Sequence, residues 1–135
     1  MRTSSRYSGV SMRILIMGGT RFIGVYLTQL LVEQGHDVVL FNRGKRPLPV
    51  ENVTQISGDR TNANQLKEKL KNENFDVIFD NNGRELTDTQ PLAEIFQNRL
   101  QHFVYMSSAG VYLKSDSLPH IEGDAVDPKS RHKGK

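Results

Sequence analysis

The five residues Arg13 to Met17, RILIM, run directly into GGTRFIG at 18–24, and no other stretch restricts the fold as tightly. A short continuous apolar run halted by two glycines reads as a buried parallel strand. From Phe22 onward, Phe22, Ile23, Leu27, Leu30 and Leu31 recur at helical spacing, Gln29, Glu33 and Gln34 fall elsewhere, and Gly35 supplies the stop. The spacing predicts an amphipathic helix laid on a sheet. Asp37 to Phe41, DVVLF, is a second strand, followed by a Gly- and Pro-containing loop from Arg43 to Pro49. Strand, helix and strand within about 30 residues make one βαβ unit.

The alternation continues. Asn52 to Ser57 reads as a third strand, and a helix starts near Asn62, where Gln65 completes a capping-box-like start and Leu66 and Leu70 stand one turn apart. Phe75 to Phe79 is a fourth strand. A helix with Leu92, Ile95, Phe96 and Leu100 on one stripe, and Pro91 in its first turn, leads to a fifth strand, His102 to Met106. After Ser107 the periodicity fades. The pattern predicts an α/β fold: a Rossmann-like, doubly wound parallel sheet of about five strands. The domain spans 12–112, preceded by a disordered leader at 1–11 and followed at 113–135 by a basic loop and the start of a truncated helix, so the sheet is incomplete at its carboxyl end.

Bulk properties narrow the class. The 135 residues, 36% hydrophobic and 24% charged, suit one soluble folded unit. Without cysteine there is no disulfide framework, thiolate metal site or Cys nucleophile. No apolar run reaches the roughly 18–20 residues of a membrane-spanning helix. The net charge of +3 gathers in the leader MRTSSRYSGVS and the tail KSRHKGK. Such tracts are either solvated ends or contacts for an anionic partner such as RNA. The leader lacks acids, as an organelle transit peptide does, but is very short for one, and a non-native leader or an upstream start before Met12 accounts for it at least as well.

In a parallel α/β sheet ligands bind at the strands' carboxyl ends. The positions to examine are therefore Gly18 to Gly24, Asn42 and Arg43, Asp59, Asn81 to Arg84, and Ser107 and Ser108. A tight strand-to-helix turn through Gly18, Gly19, Thr20, Arg21, Phe22, Ile23 and Gly24 aims backbone amides at an anion, and glycine admits a phosphate oxygen close to the main chain; the alternative is a turn kept for packing. Asn42 and Arg43 stand about twenty residues on, where a ribose-recognising group belongs. No acid occupies that place, so Arg43 pairing with a 2′-phosphate favours NADP over NAD, unless Arg43 is merely one cation of a surface loop with Lys45 and Arg46. Ser107 and Ser108 suit substrate orientation or simple turn formation. His36, His102, His120 and His132 show no metal-ligand spacing, so no metal site is expected.

GGTRFIG after RILIM, GDR at 58–60 and FVYMSSAGVY at 103–112 together resemble the extended short-chain dehydrogenase/reductase superfamily, in its NAD-dependent epimerase/dehydratase group. The run SSAGVYLKSDSLPHIEGDAVDPKSRHKGK is similar, more narrowly, to the chloroplast stem-loop RNA-binding proteins and their cyanobacterial homologues. The resemblance implies a pyrophosphate turn at Gly18, Gly19 and Gly24, an adenine-side contact at Asp59 and a substrate-side hydroxyl at Ser108. It also implies an RNA partner, RNA cleavage in some members, homo- or hetero-oligomers, and a cyanobacterial cytoplasm or a chloroplast stroma.

Three departures qualify it. Arg21 stands at the middle glycine of the turn, where its side chain either crowds the pyrophosphate or swings outward. Lys135 falls at the lysine of the family's Tyr-x-x-x-Lys pair, a catalytic remnant with Ser108, but Arg131 stands at the tyrosine. Arginine stays protonated and cannot serve as a general acid near neutral pH, which argues against hydride-linked epimerase or dehydratase chemistry. The chain also stops at Lys135, where relatives continue, so it reads as a fragment whose strand five or four is an exposed edge. The expected function is an atypical short-chain dehydrogenase-like protein that binds RNA. An NAD(P)-dependent nucleotide-sugar epimerase, dehydratase or reductase and a non-catalytic scaffold are the alternatives. Were RNA cut, Asp59, Asp80, Asn81 and Asn82, with loosely held Mg²⁺, are the candidate groups.

Overall fold

A computed structural model describes residues 9–108, 111–113 and 119–127. Strand β1 (Arg13–Met17) leads through the glycine turn into helix α1 (Ile23–Glu33) and strand β2 (Asp37–Asn42). After a loop come β3 (Thr54–Ser57), α2 (Ala63–Leu70), β4 (Val77–Asp80), α3 (Leu86–Ile95) and β5 (His102–Tyr105). All strand pairs are parallel, in the order β3-β2-β1-β4-β5. The order reverses between β1 and β4, which puts the loops after those two strands side by side at the carboxyl edge.

Alternation along the strands builds two cores. Leu15, Met17, Val39, Phe41 and Ile78 face α2 and α3, where Leu66, Leu70, Leu92 and Phe96 close over them. Ile14, Ile16, Val38, Leu40 and Val77 face the other way, toward Leu31 of α1. β1 is apolar throughout because both of its faces are covered. Each fully buried aliphatic side chain contributes about 1.5–3 kcal/mol.

Several sequence expectations need correction. β3 begins at Thr54, because Asn52 holds a positive φ of 61° and turns the chain before pairing starts. β4 runs to Asp80, since Asp80 still pairs with Met17. Pro91 lies in the body of α3, whose first turn is set instead by a Glu85–Asp88 capping box; the proline forgoes one intrahelical bond there. Leu100 falls beyond the end of that helix, although it still packs on the core. On α1 the buried residues are Gly24, Thr28 and Leu31, while Phe22, Ile23 and Leu30 face outward. Gln65 does not close a reciprocal capping box: Asn62 Oδ1 accepts from the Gln65 amide, but Gln65 Oε1 accepts from the amide of Asp59. Of the two strands named as an exposed edge, β5 is one and β4 is interior.

Among the described residues, no helix is long and apolar enough to cross a membrane. The 1–8 leader and the 128–135 tail, with Lys129, Arg131, Lys133 and Lys135, lie outside the described residues.

Candidate nucleotide-binding site

The glycine turn has the backbone its sequence suggests. Gly18 and Gly19 hold φ of 99° and 84°, a region that disfavours side chains. A Cβ at Gly19 would stand 2.6 Å from Leu40 Cδ2, and one at Gly24 would stand 2.9 Å from Gly19 Cα, so the first turn of α1 presses directly on the strand-to-helix corner. Thr28 locks this contact from the buried side, its hydroxyl donating to the Gly24 carbonyl at 2.7 Å. The Gly18 amide donates to the Phe41 carbonyl at 2.9 Å, and Asn42 Nδ2 donates to the Gly18 carbonyl at 3.4 Å. The turn is thereby tied to the end of β2.

Thr20, Arg21, Phe22 and Ile23 complete the same corner. Arg21 takes the outward option: its guanidinium sits 4.7 Å above the Phe22 ring, on the exposed side of the turn. Phe22 itself is the N-cap of α1 at φ 47° and makes no side-chain cap bond. Glycine thus stands at the turn positions where a Cβ would collide, at 19 and 24.

Asn42 braces the neighbouring loop as well. Its Oδ1 accepts from the Gly44 amide at 2.7 Å and from Gln55 Nε2 at 2.6 Å, so both ends of this side chain are engaged within the protein. Arg43, directly after it, borders an open pocket of about 570 Å³ at the ends of β2 and β3, lined also by Lys45, Gly58, Asp59, Gln65 and Lys69. Asp59 lies at its rim. The hydroxyl of Thr61 first, then its amide, hold the Asp59 carboxyl below its ordinary range, and the charge of Arg43 adds to this.

The end of β4 is organised around a group the sequence reading passed over. Arg60 forks onto the buried Asp80 carboxylate and also donates to Asn82 Oδ1 and to the Asp88 carbonyl. Thr89 Oγ1 and the Gly83 amide donate to the same carboxylate. Burial alone would raise the Asp80 pKa, but the bonds and charge of Arg60, with Thr89 and Gly83, outweigh it and hold the group lowered. Four donors occupy about all the lone-pair sites a carboxylate offers. Asp80 is thus a structural anchor, closed to a metal. The amide nitrogen of Asn81 is buried without a partner, and Asn82 Nδ2 lies 3.3 Å from where a Cβ of Gly18 would stand.

Ser107 and Ser108 follow β5 at this edge, and the Ser108 carbonyl accepts from the Val111 amide at 3.1 Å. Tyr105 donates its hydroxyl to the Gly83 carbonyl. Beyond them Tyr112 stacks on His120, which contacts Asp124 at 3.2 Å. Among the described residues no group of His, Cys, Asp and Glu could hold a metal ion. The structure gathers Gly18 to Gly24, Asn42, Arg43 and Asp59 along one edge. It adds Thr28 and Arg60, of which Arg60 carried a sequence signal only through the GDR stretch, and it ties Asn82, one of the candidate groups, to Arg60.

The NAD dependent epimerase/dehydratase family model matches residues 14–133. The chloroplast stem-loop binding protein of 41 kDa b of Arabidopsis thaliana is 51% identical over 91% of this chain, which spans 36% of that protein. A UDP-glucose 4-epimerase of Klebsiella pneumoniae is 26% identical over 82% of this chain. In fold, the chain resembles a UDP-galactose 4-epimerase (TM-score 0.73, 22% identity) over 90% of its own length and 46% of that chain. The Bordetella bronchiseptica enzyme WbmG in complex with NAD is similar as well (TM-score 0.74, 17% identity), over 93% of this chain and 46% of that one. By its sequence match and by the glycine turn on a parallel sheet, the chain belongs to the NAD-dependent epimerase/dehydratase family.

Proposed function

We propose that this chain is the nucleotide-binding portion of an atypical short-chain dehydrogenase-like protein that acts by binding RNA. The observation that carries the reading is the 51% identity, over 91% of the chain, to a protein named for stem-loop binding. The glycine turn, tied through Asn42 to the end of β2, and the cations Arg43 and Lys45 that border the pocket there support it. Such contacts neutralise phosphate charge and convey little sequence information. Arg131 at the tyrosine position of the family's catalytic pair argues for binding over hydride-linked chemistry.

A dinucleotide is the second ligand of the same edge, favoured by the glycine cradle. Gly18, Gly19 and Gly24 would hold its pyrophosphate, Asp59 its adenine side, and Arg43 the 2′-phosphate of NADP. When bound, that group supplies hydride transfer, which a catalytically competent epimerase or reductase would use with Ser108 and Lys135. If RNA is cleaved with Mg²⁺, Asp59 is the exposed carboxylate to examine, since Asp80 is occupied by Arg60, Thr89 and Gly83.

Titrating NADPH by fluorescence beside a labelled stem-loop RNA at two salt concentrations tests the order of these readings. RNA binding that weakens steeply with salt, with weak or no NADPH binding, supports the RNA function. Tight NADPH binding abolished by Gly24→Ala, with no RNA binding, restores the dehydrogenase-type reading.

A further inference from the structure

We propose that Phe22 and Tyr26, with Arg21, form a platform on α1 that stacks the unpaired bases of an RNA loop; this rests on the RNA-binding reading above. α1 meets the sheet through Gly24, Thr28 and Leu31, with Leu27 and Val32 partly buried beside them. Phe22 and Tyr26 belong to neither core and stand 77% and 73% exposed, with Ile23 and Leu30 at 57% and 51%. Phe22 is the N-cap of α1 and Tyr26 lies within its first turn or so, so both rings stand at the amino-terminal end of the helix.

The surroundings favour a polyanion with aromatic faces. The Arg21 guanidinium lies 4.7 Å above the Phe22 ring, an arrangement in which cation and π-face can both meet a base. Next to it, the Gly18 carbonyl is bonded to Asn42, which brings the basic loop of Arg43 and Lys45 alongside the turn. The only carboxylate of α1 is Glu33, its last residue, at the far end from this cluster. Cations that track a phosphate backbone, placed beside rings that accept any base, are the makings of single-strand recognition. The paired bases of a stem offer no free face to such rings, so the class of ligand is unpaired nucleotides.

The test uses this chain with a labelled stem-loop RNA and with a blunt duplex of the same stem, each titrated across a salt series. Phe22→Leu and Tyr26→Leu keep exposed apolar bulk and remove the π-face, so the core is untouched. Each should weaken stem-loop binding about tenfold. The salt slope and the duplex affinity should not change, and Phe22→Tyr and Tyr26→Phe should retain binding. Arg21→Met should lower the slope by about one phosphate contact. Unchanged stem-loop affinity in the Phe22→Leu/Tyr26→Leu double variant overturns the platform and leaves phosphate-only RNA binding standing. If the parent chain binds neither RNA at low salt, both the platform and the RNA reading fall. Loss of self-association in the double variant by sedimentation velocity, with RNA affinity intact, overturns the platform by assigning this face to a second copy of the chain.

Discussion

The guanidinium of Arg60 and the carboxylate of Asp80 meet fork to fork at the end of β4, Nη1 on Oδ1 and Nη2 on Oδ2, with Asp80 fully buried. Through the same Nη1, Arg60 fixes Asn82, whose amide nitrogen lies against Gly18. A loop following β3 thereby positions a residue against the first glycine of the turn after β1.

Removing one partner strands a buried charge. Arg60→Met should cost about 3–5 kcal/mol in urea denaturation, because Asp80 keeps its desolvation and loses its counter-ion. Adding Asp80→Asn should recover most of that loss, since the amide oxygen still accepts from the Gly83 amide while its NH2 donates to the Thr89 hydroxyl. Equal destabilisation of the single and double variants would show that the pair does not behave as a unit.

The same pair sets an acid limit. The Asp80 carboxyl is lowered from its ordinary 3.8 in the folded chain, so between the folded and unfolded values the unfolded state binds more protons. Its stabilisation is present in full above the unfolded value and is lost as pH falls through the folded one. Denaturation midpoints measured below pH 4.5 or so should fall less steeply in Asp80→Asn than in the parent chain.

At the turn, Gly24→Ala sets a Cβ 2.9 Å from Gly19 Cα, a backbone contact that no rotamer can relieve. The expected cost is about 1–3 kcal/mol, with loss of nucleotide binding as the corner opens. Thr28→Val is milder: it deletes the hydroxyl bond to Gly24 and should cost about 1 kcal/mol while keeping the volume. Thermal unfolding and NADPH titration of both variants measure the two effects separately.

Arg43 borders the open pocket, and its guanidinium is the group expected to meet a 2′-phosphate. Arg43→Ala should weaken NADPH about tenfold and leave NADH nearly unchanged. Parallel losses for both dinucleotides would mean that Arg43 does not read the 2′-phosphate.

Local patterns carried the fold. RILIM followed by two glycines, the βαβ spacing and the apolar runs at DVVLF and HFVYM were legible because strand burial and helical periodicity are written along the chain itself. The glycine turn was legible for the same reason: glycines at 18, 19 and 24 leave few other conformations for a strand-to-helix corner. What the tertiary structure alone decided were pairings between distant segments. Arg60 and Asp80 stand twenty positions apart, and only the crossover through α2 brings them together. Asp80 looked like an available carboxylate until its four donors were in place, and Asn42 like a ribose contact until Gly44, Gln55 and Gly18 engaged both ends of it. The outward face of α1 was hidden for a related reason. Its apolar residues outnumber those that one side of the sheet can cover, so periodicity showed a helix but not which stripe would face the core; the small residues Gly24 and Thr28, which let α1 approach the turn, decided that.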